Sequence, residues 1–369
     1  MVNNTPNSQI IKDSITALRF PLIVAIVFIH TFIVGQPNID GKINVEHGQY
    51  PTYDFLDHIV RLCLAEIAVP LFFVISGFLF FYQCDFNKET YYNKLRKRIH
   101  TLLIPYLIWN TLYLFFVMIV QQIQPSSTSL GRKLVVDYSF IDILDSYWHF
   151  DGVIRGYDPI CGPLWFIRDL MIVNLFSPIV YFCIRNKRIV FLFLLGVLYI
   201  CGINLLTPGL SSTAFFFYSL GAWASVNCLE IDLSGRIGGR IMVICALLLI
   251  SDMTIWRIGD QNSYLHRFFI VSGVFSFISF AMRIVRRWGA GITIRYLAGC
   301  SFFIYLSHMY VTPFLNKCWI LVLSPANEIT ASIALFTIPL ITCLICIGVY
   351  SVMKRCFPKM TTILVGGRL

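Results

Sequence analysis

"RFPLIVAIVFIHTF" (residues 19–32) is an apolar stretch that begins with an arginine and carries a histidine near its end. Its proline, Pro21, stands near the front, where a helix tolerates it. In an α-helix, His30 follows Arg19 by about three turns plus 20°, so the two side chains are predicted to share one face. Their separation along the axis would be roughly 16 Å. The stretch therefore predicts a membrane helix with a cationic end and a histidine well inside.

The composition of the whole chain is that of an integral membrane protein. The 369 residues are 57% hydrophobic and 13% charged, with a mean hydropathy of +0.73, whereas soluble chains are about a quarter charged. The net charge of +10 comes from short basic clusters between apolar runs, which is typical of positive-inside loops and not of nucleic-acid binding. Most of the 12 cysteines lie inside apolar runs without metal-ligand spacing, so we expect no metal.

Apolar windows predict an all-α architecture of about ten transmembrane helices in a single transmembrane domain, residues 15–353. The flanking residues 1–14 and 354–369 are predicted to be cytoplasmic tails. The predicted spans are 15–35, 59–83, 101–123, 163–185, 189–206, 212–229, 240–256, 266–284, 296–316 and 329–353.

The distribution of basic residues predicts that both termini are cytoplasmic. With this topology, twenty of the 29 Lys and Arg residues lie inside, eight lie outside, and Arg168 lies within a span. The outer loop 137–159, "DYSFIDILDSYWHFDGVIRGYDP", is acidic, aromatic and longer than a simple connector. Two interpretations of this loop stay open, a lid or acceptor-binding element and a plain solvated loop.

Four ionisable side chains within the predicted spans are candidates for function, because an unpaired charge there costs several kcal/mol. They are His30, Glu66, Arg168 and His308. Counting the rise per residue from the nearest span end places all four in the outer half of the membrane. Together with Arg19 at the inner edge they suggest a route through the protein.

Structural interpretations of these residues also stay open. A single histidine in a span is often an interhelical hydrogen-bonding group, and Arg168 with Asp169 fits a structural ion pair. Ser76 and Gly77 fit close helix packing. Asp252, near an outer helix end, is interpreted as interfacial.

Four blocks of the sequence resemble, in order, the motifs of the membrane-bound acyltransferase family 3, the multi-pass O-acyltransferases of bacterial surface polysaccharides. They are Arg-x10-His on the first span, "VPLFFVISGFLF" (69–80), "GPLWFIRDLMIV" (162–173) and "SFFIYLSHMYV" (301–311). The basic segment "KLRKRIHTLLIPYLIW" (94–109) resembles the family's Arg-rich stretch. The family often has Arg-x-x-Arg there, but Leu95 replaces the first arginine, so only Arg98 of that pair is carried over.

The resemblance implies acyl transfer, most often of acetyl, from cytoplasmic acetyl-CoA to a hydroxyl of an outer glycan or lipid-linked saccharide. His30 is the predicted general base, since imidazole titrates near neutrality, and Glu66 or a nearby acid is predicted to hold its tautomer. A covalent acyl-His30 intermediate is equally compatible with the sequence. The residues expected to bind the acyl-CoA donor or stabilise charge on its thioester are Arg19, Arg98, Ser76, Trp165, Arg168, Tyr305 and His308.

Two other functions fit many spans with buried polar residues. One is a proton-coupled transporter, although the halves of the chain show no inverted repeat. The other is a glycan flippase or polymerase, favoured by the long outer loop. In each case the sequence predicts a multi-pass protein of the bacterial inner membrane in contact with lipid. It leaves the glycan, the choice between acetyl and succinyl, and the oligomeric state open.

Overall fold

The computed structural model of the protein describes residues 6–35, 45–123, 133–148, 158–186, 188–203, 208–228, 232–257, 263–323 and 327–368. Within these ranges the chain forms helices joined by turns, and no strand occurs among them. The predicted all-α architecture is therefore confirmed for the described residues. The α-helices are α1 (Pro6–Ile29), α2 (Pro51–Asp57), α3 (Ala68–Phe81), α4 (Lys88–Arg98), α5 (Ile104–Ile123), α6 (Phe140–Trp148), α7 (Trp165–Leu175), α8 (Ser177–Ile184), α9 (Val190–Ile200), α10 (Ser212–Val226), α11 (Arg236–Arg257), α12 (Ser263–Trp288), α13 (Ile292–Leu323), α14 (Glu328–Cys356) and α15 (Pro358–Leu364).

Five helical stretches in the described part of the chain are long and apolar enough to cross a membrane. They are Pro51–Phe81, Lys88–Ile123, Arg236–Arg257, Ser263–Trp288 and Glu328–Cys356. A sixth is possible if Gly162–Leu175 and Ser177–Ile184, which meet at 62°, form one broken span. Every predicted span contains helix, but the span 163–185 contains two helices that meet at 62°, and α9 is only 11 residues long, or about 17 Å. The count of ten spans and the cytoplasmic position of both termini stay predictions.

Two helical stretches depart from α-helical geometry just before a proline. His58–Leu64 is π-helical and Ala65–Ile67 is a 3₁₀ turn, and Pro70 follows at the start of α3. The π-helical segment Ile99–Leu103 likewise precedes Pro105. Proline has no N–H and its ring crowds the carbonyl four residues earlier, so the preceding turns must change their hydrogen bonding.

The chain forms two compact units. Unit 1 contains Met1–Ala25, Leu62–Arg98 and Asp169–Ser301, and unit 2 contains Ile26–Arg61, Ile99–Arg168 and Phe302–Leu369. Since each unit is assembled from three separate segments, neither is a continuous piece of sequence. The predicted site residues are shared between the units.

Unit 1 is centred on the close packing of α3 against α10. A Cβ atom on Gly77 of α3 would lie 2.0 Å from the carbonyl oxygen of Tyr218 on α10. A Cβ on Gly221 of α10 would lie 2.0 Å from the carbonyl oxygen of Val74 on α3. Only glycine permits backbones this close, so the structural interpretation of Gly77 is confirmed.

Unit 2 includes the C-terminal segment that the sequence analysis assigned to a tail. Residues 358–364 form α15, and the indole N–H of Trp109 on α5 donates to the carbonyl oxygen of Leu364 at 3.1 Å. Beyond it, Arg368 donates to the carbonyl oxygen of Thr101 at 2.8 Å and lies over the ring of Phe302. The end of the chain is therefore a packed element of this unit.

The outer loop 137–159 falls partly outside the described residues, since 149–157 are not among them. Its first part forms α6, a nine-residue helix that packs in unit 2.

Candidate functional site

His30 lies directly after the end of α1. The helix carries Arg19 and ends at Ile29, and its last turn tightens, since the N–H of His30 donates to Val27 and that of Thr31 to Phe28, both three residues back. Tightening changes the angle between successive side chains, so the predicted common face of Arg19 and His30 holds only approximately at His30. The imidazole is half-buried in unit 2.

His308 is a fully buried histidine in the middle of α13, with 0% of its surface exposed. Its Nδ1 lies 2.7 Å from the carbonyl oxygen of Tyr305 and 3.2 Å from that of Ile304. Because a carbonyl oxygen can only accept, Nδ1 carries the hydrogen, and Nε2 is left as an acceptor in the neutral ring. No described residue offers Nε2 a hydrogen bond. Burying an acceptor nitrogen without a hydrogen bond costs free energy of folding. This cost favours a functional role for His308.

The two histidines, predicted to share one depth, contact each other. Their ring centroids are 5.2 Å apart with the planes inclined by 44°. Two turns further along α13, the side-chain amide of Asn316 donates to the carbonyl oxygen of His30 at 3.4 Å. The end of α1 is thus held against α13, and unit 2 contains a pair of adjacent imidazoles.

Tyr305 and Arg168 each bind a backbone carbonyl group of another segment of unit 2. The hydroxyl of buried Tyr305 donates to the carbonyl oxygen of Pro163, just before α7. Arg168 on α7 is 3% exposed and donates to the carbonyl oxygen of Trp148 at 2.6 Å. Trp165, half-buried, begins α7 between these two anchors. Both donors are therefore engaged with the backbone.

Glu66 lies in unit 1 and binds a residue that the sequence analysis did not select. Its carboxylate is 3.0 Å from Nε2 of His266, and Nδ1 of the same ring is 3.0 Å from the carboxylate of Asp252. Asp252 also accepts the S–H of Cys63 at 3.4 Å. The imidazole of His266 thus connects the half-exposed carboxylate of Glu66 to the buried carboxylate of Asp252.

Asp252 is only 6% exposed and binds both His266 and Cys63, so it is part of a polar cluster inside unit 1, and its interfacial depth stays a prediction. The sequence did contain a signal. Asp252 is near the end of one predicted span and His266 at the start of the next, and consecutive antiparallel helices bring such ends together. The partner of Glu66 could not be found this way, since it is 200 residues distant in sequence.

We expect Glu66 and His266 to be energetically coupled. Unfolding free energies in mixed micelles for Glu66→Gln, His266→Ala and the double variant should yield a coupling of about 1 kcal/mol, because the carboxylate is partly screened by solvent. The matched control pairs His266→Ala with Glu89→Gln, an exposed acid of α4 in the same unit, for which additive effects are expected. Additivity in both pairs would contradict the assignment.

The remaining predicted donor-binding residues lie in unit 1. Arg19 is exposed on α1, and Ser76 is half-buried on α3 beside Gly77. Arg98 ends α4 with its guanidinium 5.7 Å from the ring centroid of Phe80. The ammonium group of Lys94, one turn earlier, lies 5.2 Å from the centroid of the same ring. The C-terminal end of α4 therefore carries a cluster of positively charged side chains.

A family profile described as an acyltransferase domain matches residues 12–350 of this chain. The chain belongs to acyltransferase family 3. This confirms the resemblance drawn from the four blocks and makes the protein an acyltransferase by family. The acyltransferase is 26% identical over 369 aligned residues to the succinoglycan biosynthesis protein ExoH of Rhizobium meliloti (strain 1021). The alignment covers 97% of this chain and 93% of the relative. No solved structure matches the acyltransferase.

Proposed function

We propose that the protein is a multi-pass O-acyltransferase of the bacterial inner membrane that moves an acyl group from cytoplasmic acyl-CoA to a hydroxyl of an extracytoplasmic glycan. Family membership supports acyl transfer, and the relative's name supports a glycan, free or lipid-linked, as the acceptor. Acetyl is the proposed group, with succinyl as the alternative to be measured against it.

The observation that carries this proposal is the contact between His30 and His308. A sugar hydroxyl has a pKa far above neutrality and needs a base to accept its proton during attack, and a correctly placed base contributes about 10²- to 10⁴-fold. His30 is half-buried and therefore reachable, whereas His308 is fully buried. We assign the base to His30.

The chemistry balances with these groups alone. The hydroxyl oxygen attacks the thioester carbonyl carbon while His30 accepts the hydroxyl proton. The carbon–sulfur bond then breaks, and the proton passes from His30 to the departing thiolate, so that CoA leaves as a thiol. His30 is regenerated and no further reactant is consumed.

His308 is proposed to orient His30. Its Nδ1 hydrogen is held by the carbonyl oxygen of Tyr305, so its Nε2 can accept an N–H from His30 after a small rotation of that ring. The other nitrogen of His30 would then face the substrate. Glu66, which binds His266, is better suited to hold that residue than to hold His30.

Arg19 and Arg98 are proposed to bind the phosphate groups of acyl-CoA. Guanidinium groups form bidentate, charge-assisted hydrogen bonds with phosphate oxygens, and the lysines near Arg98 add to the positive potential. Tyr305 and Arg168 are proposed to position the start of α7. Tyr305 donates to the carbonyl oxygen of Pro163 just before this helix, and Arg168 on the helix donates to the carbonyl oxygen of Trp148.

The test is acyl transfer in membrane vesicles supplied with acetyl-CoA or succinyl-CoA labelled in the acyl group. We expect label in covalent linkage to glycan, released by mild base as an ester is, and faster transfer from acetyl-CoA. A transporter would instead move an unmodified solute without incorporating label. Label entering glycan equally with and without the protein would refute the proposal.

A further inference from the structure

One exposed face of α6 is apolar, and the exposed ion pair between Asp142 and Lys133 lies away from it. Phe140, Ile141, Leu144 and Trp148 are exposed by 74%, 75%, 56% and 40%. Their spacing places them along one stripe of the helix. The opposite side carries Ser146, which is completely buried. A surface helix facing water has the reverse arrangement, with its apolar side turned inward.

The inward side of this segment is joined to α5 by polar contacts at two levels. Near one end, the N–H of Val135 donates to the side-chain oxygen of Gln121 at 2.9 Å. Near the other, the hydroxyl of Tyr147 is 2.6 Å from that of Thr111. Gln121 and Thr111 are separated by roughly 15 Å along α5 at the usual rise. The segment 133–148 therefore runs alongside α5 and does not lie across its end.

α5 belongs to the stretch Lys88–Ile123, which is long and apolar enough to cross a membrane. Its own exposed residues include Leu112, Phe115 and Ile119. These three residues lie between Thr111 and Gln121, so the part of α5 that the segment follows presents apolar side chains outward, as a lipid-facing surface does. The apolar stripe of α6 then continues the lipid-facing surface of α5.

We propose that α6 is a re-entrant element whose apolar stripe, formed by Phe140, Ile141, Leu144 and Trp148, contacts the acyl chains of membrane lipid. The ion pair between Lys133 and Asp142, 2.7 Å apart and exposed, belongs to the outer end of this element. The polar groups at its inner end are satisfied by protein, as the membrane interior requires. Arg168 donates to the carbonyl oxygen of Trp148 at 2.6 Å, and the N–H of Ile160 donates to that of Ser146 at 2.7 Å.

This placement is an alternative to both interpretations of the loop 137–159, a lid or acceptor-binding element and a plain solvated loop. Polar side chains with exposed surface in this segment, Lys133, Asp137, Ser139 and Asp142, lie toward the end near Gln121, and the apolar stripe extends past them toward Tyr147. The inference stands independently of the proposed reaction, because it rests on the polarity of α6 and its contacts with α5.

The test uses the full chain in native membranes with the photoreactive residue p-benzoylphenylalanine in place of Leu144. Irradiation in membranes containing radiolabelled phospholipid is expected to give a lipid adduct of a yield comparable to that from the same replacement of Phe115. Replacement of Glu46, an exposed loop residue, is the water-facing control and is expected to give none.

A second measurement applies if photoreactive variants accumulate poorly. Leu144→Asp is expected to reduce the amount of folded protein in membranes several-fold, as is Phe115→Asp, because a carboxylate is excluded from hydrocarbon. In water, a substitution at this exposed position would be neutral. Absence of a lipid adduct at position 144, or a cross-link there to a second copy of the chain, would overturn the proposal.

Discussion

Replacing His30 with glutamine is expected to lower the rate of acyl transfer by about 10²- to 10⁴-fold, the range that a general base contributes. Glutamine is close to histidine in size and forms hydrogen bonds, but it cannot accept a proton from a hydroxyl near neutral pH. The contact with His308 and the hydrogen bond from Asn316 to the backbone of residue 30 favour retention of the fold. The measurement is incorporation of labelled acyl groups into glycan at equal amounts of folded protein.

The matched control is His100→Gln, since His100 is an exposed histidine. We expect this variant to transfer acyl groups at the unaltered rate. His308→Gln should give a smaller loss than His30→Gln, because it removes an orienting group and leaves the base in place. Unchanged transfer by His30→Gln would refute the assignment of the base and leave the re-entrant position of α6 unaffected.

Substituting alanine for Gly221 is expected to destabilise the protein by about 3 kcal/mol, the upper end of the usual cost of overpacking. The added Cβ would lie 2.0 Å from the carbonyl oxygen of Val74 and 2.8 Å from its carbonyl carbon. These are backbone atoms, which can move away only if α3 and α10 separate. Gly77→Ala should have a comparable effect, because its Cβ meets the backbone of Tyr218 at the same distance.

The controls are Gly299→Ala on α13 and Gly348→Ala on α14, where an added Cβ meets no atom within 4 Å. Since glycine is a poor helix former, these variants should be neutral or more stable by up to about 1 kcal/mol. Thermal unfolding in detergent measures the stability of all four glycine-to-alanine variants. Equal stability of Gly221→Ala and the two controls would mean that α3 and α10 are further apart than described.

Several features of the fold could be predicted because they depend on local sequence. The apolar runs predict the helices, and the prolines at 70 and 105 mark the turns where helical geometry changes. Small residues within spans indicate close packing, as Gly77 confirms. The shared depth of His30 and His308 follows from the constant rise per residue, and the two rings do contact each other.

The partners of the polar side chains could not be predicted in the same way. Glu66 was expected to act on His30, but its carboxylate binds His266, and the contact of Asp252 with the same ring was not predicted. The outer loop 137–159 was predicted from its length and composition, and only the structure shows that its described first part runs alongside α5. Depth along a helix says nothing about which helix lies beside it.

The sequence by itself determined that this protein is a helical, membrane-embedded acyltransferase. Composition and the order of motifs depend only on the order of residues along the chain and not on which helices are neighbours. Only the tertiary structure decided that His30 meets His308, that Glu66 meets His266 and that α6 turns its apolar side outward. The physical reason is that helical periodicity is local, with hydrogen bonds four residues apart, whereas contacts between helices join residues as distant as two hundred positions.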